Sequence, residues 1–180
     1  AYNPTMVVTY GGLAGDPYWR SHMNVWEHPI LSRHAPPDYL AGSIRRPIAP
    51  EHDYVDDDNA VVALMLAERG VEMAIGAHGQ EEGLAAHWEM WSLGRGGATP
   101  LQAIRAATIA PARHLGLAND LGSIEDGKLA DLVIISADPL EDIRNSDQVE
   151  MVMLNGRLYE ADTMNEVVTG DRVRRPYFWE

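Results

Sequence analysis

Residues 71–108 read VEMAIGAHGQEEGLAAHWEMWSLGRGGATPLQAIRAAT, and the order of residue types in this stretch decides the fold. It opens on an apolar run, residues 71–76, short enough and close enough to glycine to be a buried β-strand. The run delivers His78 to a loop flanked by Gly76 and Gly79. Residues 83–93 then carry helical character and end at the glycines of GRGG. Thr99, Pro100 and Gln102 mark a second helix start: Thr as N-cap, Pro at the first helical position, Gln closing a capping box. This helix is predicted to reach about Thr108, with Pro111 opening another short turn before Gly116.

Working outward toward the N-terminus, residues 5–10 (TMVVTY) are β-branched and apolar and stop at Gly11-Gly12, which predicts a second buried strand. Residues 11–51 hold six prolines and no sustained periodicity, a long loop of the kind that is uncommon in compact domains unless functional. Asp57 or Asp58 is placed to N-cap a helix running to Arg69, with Gly70 at the C′ position. Val61, Leu64, Met65 and Glu68 fall at helical spacing within it. Strand, helix and strand make a βαβ unit, so residues 5–10 and 71–76 are expected to pair in parallel through a right-handed crossover.

Toward the C-terminus the character changes. The polar turn EDGK precedes a strand over residues 131–136, DLVIIS. Residues 148–154 alternate and are followed by Asn155-Gly156, a strong hairpin signal because both positions of the turn need positive φ. A small antiparallel β element is therefore expected, and the aromatic tail PYFWE reads as a staple onto a partner surface. The fold class is α/β, with boundaries at residues 1–116, 117–160 and 161–180.

Length and composition set the outer limits. A chain of 180 residues is short for a complete (β/α)₈ barrel, which takes ~250 residues. The formal charge of −13, from 27 acids against 14 bases, disfavours nucleic acid and anionic membranes as partners. There is no cysteine, so disulfides and thiolate metal sites are ruled out. No apolar run approaches the ~18 residues of a membrane-spanning helix, and the start AYNPTMVVTY lacks a signal peptide's basic end and long apolar core. The chain begins without Met inside a predicted strand, which reads as a fragment or a processed chain.

Two blocks resemble the metal-dependent amidohydrolase superfamily, in its imidazolonepropionase- and prolidase-like branch. In the first, Gly76-Ala77-His78-Gly79 stands where that superfamily shows a Gly-Thr-Asp-like strand end; residues 87–89 match a helix rich in His and Glu, and residues 99–108 a TPLEALRAAT-like helix. The second block spans residues 121–159. Its GSIEDGKLADLVIISADPLEDI and VMLNGRLY are similar to the superfamily's return into a small β-sandwich. Residues 2–12 resemble the seventh barrel strand of a branch sometimes joined to TolB-like propellers, which implies a periplasmic or secreted setting.

The resemblance implies the last strands and helices of a (β/α)₈ TIM barrel plus strands of the β-sandwich. It also implies hydrolysis of amide or related C–N bonds in a small amide or peptide-like substrate. The cofactor implied is a divalent metal, zinc foremost, which lowers the pKa of bound water while a strand-end residue moves the proton. The superfamily's remaining ligands include a His-x-His pair, and this sequence has none. A metal site is thus expected to need the missing N-terminal half or another chain, as in a homo-oligomer, and the isolated chain is expected to be inactive. A non-catalytic assembly remnant of the fold is the alternative.

His78 is the residue assigned to catalysis and to the metal, although it departs from the superfamily's Asp. Imidazole can ligate zinc through one nitrogen or act as a base, but it cannot bridge two metals as a carboxylate does. The bland alternative is a hydrogen-bonded histidine at a buried strand end. Tyr10 and Gln80 are assigned to the substrate pocket by position. His87 and Glu89 lie two apart, on different helix faces, and so cannot share a metal. Trp88 and Trp91 read as packing residues, His22, His28 and His34 as loop histidines, and Asp56-Asp57-Asp58 as a helix start rather than a cation site.

Overall fold

The protein is described from a computed structural model that covers residues 1–11, 16–46, 48–79 and 81–180; the side chains of Tyr10, Gly11 and Asp16 also lie outside the described residues. The centre of the molecule is a helix whose apolar residues are not confined to one stripe. Among residues 85–95, Ala85, Trp88, Met90, Trp91 and Leu93 point in several directions, and a helix apolar on more than one face is stable only when surrounded. It is surrounded. The α4 helix (Asp56–Ala67) and the α6 helix (Pro100–Ala107) pack on this central helix, α5 (Ala85–Arg95), as do 3₁₀ turns at Met6–Val8 and Ile143–Asp147. Met6, Val25, Ala60, Ala63, Met73, Leu84, Trp88, Trp91, Leu93, Ala103 and Ile143 form one continuous core.

A local signal places the start of α6 (Pro100–Ala107). The capping box of α6 is complete: the Gln102 N–H donates to Thr99 Oγ1 at 3.3 Å and the Thr99 N–H to Gln102 Oε1 at 2.8 Å. A short helix, α7 (Ile109–His114), follows and contains Pro111. Helix α5 begins two residues later than its pattern suggests, because residues 81–84 form a separate turn bonded back to the Glu81 carbonyl. Helix α4 begins at Asp56, with Val55 as N-cap and no side-chain cap, so neither Asp57 nor Asp58 caps it as expected. The reason is tertiary: Asp56 turns inward to Ser92 and Arg95. The long proline-rich stretch is broken into the short helices α1 (Tyr18–His22), α2 (Leu31–His34) and α3 (Pro37–Ser43).

The two expected barrel strands are not formed as read. Met6–Val8 is a 3₁₀ turn, entered through Thr5 at φ 50°, a left-handed conformation that costs a β-branched residue roughly 1–2 kcal/mol. Tyr10–Gly11 (β1) and Asp16–Pro17 (β2) form only a two-residue antiparallel pair. Gly12, expected to stop the first strand, lies outside the described residues. Within residues 71–76, only Met73 is paired, in a parallel bridge to Tyr2. The direction is the one predicted, but the register is displaced to the very start of the chain. A two-strand parallel ladder has no further strand beside it among the described residues, so most of each run satisfies its backbone elsewhere. The Ile75 N–H donates to the Ala106 carbonyl at the end of α6 (3.0 Å).

The C-terminal element forms as the pattern predicts. Leu132–Ile135 (β3), Val149–Leu154 (β4) and Arg157–Glu160 (β5) make an antiparallel sheet in the order β3-β4-β5. The hairpin turns at Asn155 (φ 49°) and Gly156 (φ 77°), two consecutive positive-φ residues as a type I′ turn requires. A register shift between Ile134 and Ile135 interrupts the β3–β4 ladder. Ile143 enters the core below Gly94 and joins this element to α5. The tail folds back onto its own chain: the Tyr177 hydroxyl bonds His34 Nδ1 at 2.8 Å and the Tyr177 ring stacks on Trp179.

Candidate active site

The site grows from the short parallel bridge. The Tyr2 N–H donates to the Glu72 carbonyl (2.7 Å), and the Ala74 N–H donates to the Tyr2 carbonyl (2.9 Å). Past Ala74 the chain reaches Gly76, where a Cβ would lie 2.2 Å from Asn3 Oδ1 and 2.7 Å from Thr5 Oγ1. Only glycine allows the N-terminal segment to press so closely on the strand end. The chain then turns at His78 (φ 53°) and Gly79 (φ 71°), both left-handed. Histidine is among the residues that tolerate this region better than most, and such a conformation persists only when its surroundings enforce it. His78 stands exposed at this tip.

Gln80 and the side chain of Tyr10 lie outside the described residues; the Tyr10 backbone pairs with Pro17. His87 and Glu89 face different neighbours, His87 Nδ1 lying 3.1 Å from Ser146 Oγ and Glu89 reaching the Met6–Val8 turn. Burial pushes the His87 imidazole down, against the pull of Asp147. Trp88 and Trp91 are core residues, with indole N–H groups donating to Met23 Sδ (3.3 Å) and Ser146 Oγ (2.9 Å). The spaced histidines go to separate places. His22 stacks on Tyr18, His28 Nε2 approaches Asp147 Oδ2 at 3.5 Å, and His34 meets Tyr177.

Three carboxylates are buried where no sequence pattern marks them as such: Glu89, Glu81 and Asp56. Glu89 is fully buried, and its Oε1 accepts from the Val7 N–H at 2.5 Å. Burial pushes its acid up to about 7, against hydrogen bonds from the backbone of Val7, Met6 and Gly76 that favour the charged form. Glu81 is equally buried and accepts from the Tyr39 hydroxyl at 2.8 Å; burial raises its acid too. Asp56 accepts from Ser92 and from Arg95, and burial again raises it. One oxygen of each has no hydrogen-bond partner among the described residues. No local motif announces such groups. The one available signal was a Glu on the otherwise apolar run of α5.

A cleft of about 730 Å³ opens beside the same strand, between Val71, Glu72 and Met73 and the helices α6 and α7. His78 does not line it, so it is a feature of the strand's flank rather than its tip. Among the described residues, no group of three His, Asp or Glu side chains comes together to hold a metal ion. The described residues therefore do not by themselves fit the metal that the resemblance implies.

Comparison with known proteins sets this geometry in a lineage. An ochratoxinase of Aspergillus niger is 31% identical, over 60% of this chain and 23% of its own length. An adenine deaminase (adenine deaminase 3) of Rhizobium meliloti is 42% identical, over 43% of this chain and 14% of its own. Among solved structures, a Xaa-Pro dipeptidase with bound methionine in its active site is 36% identical, with a TM-score of 0.53 over 58% of this chain and 25% of that one. Molinate hydrolase, at 21% identity, shares the fold with a TM-score of 0.51 over 85% of this chain and 32% of its own. The chain thus spans less than a quarter of the length of these curated relatives. The profile of the Amidohydrolase family matches residues 21–159, well over half of the sequence, and the chain belongs to that family.

Proposed function

We propose that this chain is the C-terminal portion of a metal-dependent hydrolase that cleaves amide or other C–N bonds in small amide or peptide-like substrates. In this reading residues outside this chain complete the fold into a TIM barrel with its small β-sandwich. The observation that carries the reading is the left-handed turn at His78-Gly79, which presents an exposed imidazole just past the segment bridged to Tyr2, within the family-matched residues. Support for the bond type comes from the relatives, whose names denote a dipeptidase, an ochratoxinase and a deaminase. The metal, zinc by the resemblance, supplies an activated water when bound in such enzymes. From this chain, His78 would offer one imidazole nitrogen, either as one ligand or as the group that takes and returns a proton. Tyr10 and Gln80 are proposed as substrate contacts.

The test is turnover of a panel of dipeptides and N-acyl amino acids by the protein that carries this chain, with kcat, metal content and melting temperature measured together. His78→Ala is expected to lower kcat by roughly 10²-fold or more, the scale for an acid–base group. His78→Asp is expected to recover part of it if a base is all that is needed. An unchanged kcat at full metal loading in His78→Ala would remove His78 from the mechanism. A second reading, a non-catalytic assembly module, is favoured by the large apolar side chains that the sheet leaves in water, Val133, Ile134 and Leu154. Absence of turnover on the whole panel by the metal-loaded protein would decide for it.

A further inference from the structure

Beneath the exposed turn at His78 lies a buried acid that the proposed chemistry does not use. Glu89 projects from the middle of α5, with none of its surface exposed. Its neighbour is not a cation but a set of backbone amides. The Val7 N–H donates to Oε1 at 2.5 Å, with the backbone of Met6 and Gly76 close by and Oε2 without a hydrogen-bond partner among the described residues. Met6 and Val7 open a 3₁₀ turn, whose first N–H groups have no carbonyl partner within the turn. Gly76 belongs to the other segment, two residues before His78.

We propose that Glu89 is a positioning residue: its side-chain oxygen holds the Met6–Val8 turn onto α5, which seats Asn3 and Thr5 against Gly76 and thereby fixes where His78 stands. Two segments far apart in sequence meet at this side chain, the N-terminal turn and α5, and the N-terminal segment in turn presses on Gly76. The fit around it is tight, since Asn3 and Thr5 already occupy the space beside Gly76. The tie is also needed. Apart from the Tyr2–Met73 bridge, the N-terminal segment and the strand end share no ladder among the described residues. Thr5 is held left-handed immediately before the turn, a conformation that would relax if the amides of Met6 and Val7 lost their acceptor.

The charged groups around Glu89 fit this role rather than a second catalytic one. Asp56, at the start of α4, is the nearby charge that acts on it, and Asp56 is itself engaged by Arg95. No basic side chain bonds Glu89 among the described residues, and the Val7 amide is its hydrogen-bond partner. A carboxylate placed to neutralise a cation would look different.

The inference rests on the hydrolase reading for its consequence, but its geometry is tested without activity. In the 180-residue chain, amide hydrogen exchange is measured residue by residue for the parent, Glu89→Gln and Glu89→Met. Gln keeps an oxygen acceptor at the place of Oε1, whereas Met fills the volume without one. Expected is at least a tenfold faster exchange at Met6, Val7 and Gly76 in Glu89→Met, together with a shifted His78 ring resonance. Glu89→Gln is expected to stay close to the parent, and the β4–β5 amides to be unchanged in both. Unaltered exchange and an unmoved His78 resonance in Glu89→Met would overturn the proposal, as would equal acceleration over the whole chain. In the protein that carries this chain, Glu89→Met is then expected to lower kcat at least tenfold with little change in KM. If the parent itself shows no turnover, the hydrolase reading fails, while the tie is judged on exchange alone.

Discussion

Residues 5–10, TMVVTY, and residues 131–136, DLVIIS, are two apolar, β-branched runs of equal length. In the protein the first curls into a 3₁₀ turn, while the second becomes the strand β3. Side-chain preference does not separate them. The position of the partner does: β3 lies thirteen residues before β4 and β4 two residues before β5, so each pairing closes a short antiparallel loop. The run at residues 5–10 has its expected partner some 65 positions away, across a helix, in a parallel arrangement that needs further strands on either side. With no such strands among the described residues, the single pair Tyr2–Met73 bridges and the rest of the backbone finds other acceptors, a carboxylate included. A strand is thus a property of a sheet more than of a sequence run.

If that contrast is right, the N-terminal region depends on tertiary burial and the hairpin on its own turn. The largest effect is expected from Trp88→Ala, which empties the centre of the core where only 1% of the indole is exposed. The loss should be about 3–5 kcal/mol, read by thermal or denaturant unfolding. Amide protection should collapse over α4–α6 and around Met6–Val8 while the β4–β5 amides keep theirs. Equal loss in both places would make the molecule one cooperative unit and break the comparison.

A smaller effect, on the order of 3 kcal/mol at most, follows from the acid of Glu89, raised to about 7 from an ordinary value near 4.5. The folded protein holds this proton at pH values where the unfolded chain has already released it. The stability linked to it is therefore full below about pH 4.5 and is lost as pH rises through about 7. Glu89→Gln, which carries no charge, is expected to flatten this slope and to be the more stable protein at pH 8. Parallel stability curves for parent and variant between pH 4.5 and 8 would show that the group does not titrate in this window. The exchange rates of the β4–β5 amides, corrected for intrinsic chemistry, should follow the global stability only through the docking of this element on Ile143.

The smallest effect sharpens the other half of the contrast. Gly156→Ala places a Cβ at φ 77°, in open space but in the left-handed region, and is expected to cost roughly 1 kcal/mol. Faster exchange confined to the β4–β5 amides is the expected readout. An effect spread to Met6, Val7 and Gly76 would show that the hairpin also supports the site.

Much of the fold was legible because its determinants are local. Thr99 and Gln102 cap α6 through atoms three residues apart, and Asn155-Gly156 turns the hairpin through its own φ angles, so both could be read from neighbours in the chain. The alternation in residues 148–154 gave β4 for the same reason. The site was only half legible. His78 could be singled out from its flanking glycines and from the resemblance, but the left-handed turn on which it stands could not. Glu89, Glu81 and Asp56 were invisible as a class, since a buried acid is identified by what covers it. Glu89 sits 82 positions from Val7, and Asp56 36 positions from Ser92.

The sequence by itself determined the family, the capped start of α6 and the antiparallel hairpin, because each rests on residue types within a few positions of one another. Tertiary structure alone decided that residues 5–10 would not extend as a strand, that α4 would begin at Asp56, and that three carboxylates would be drawn inside. Each of those outcomes balances burial and backbone hydrogen bonding between segments 36 to 82 residues apart, and that balance is struck only once α5 is enclosed.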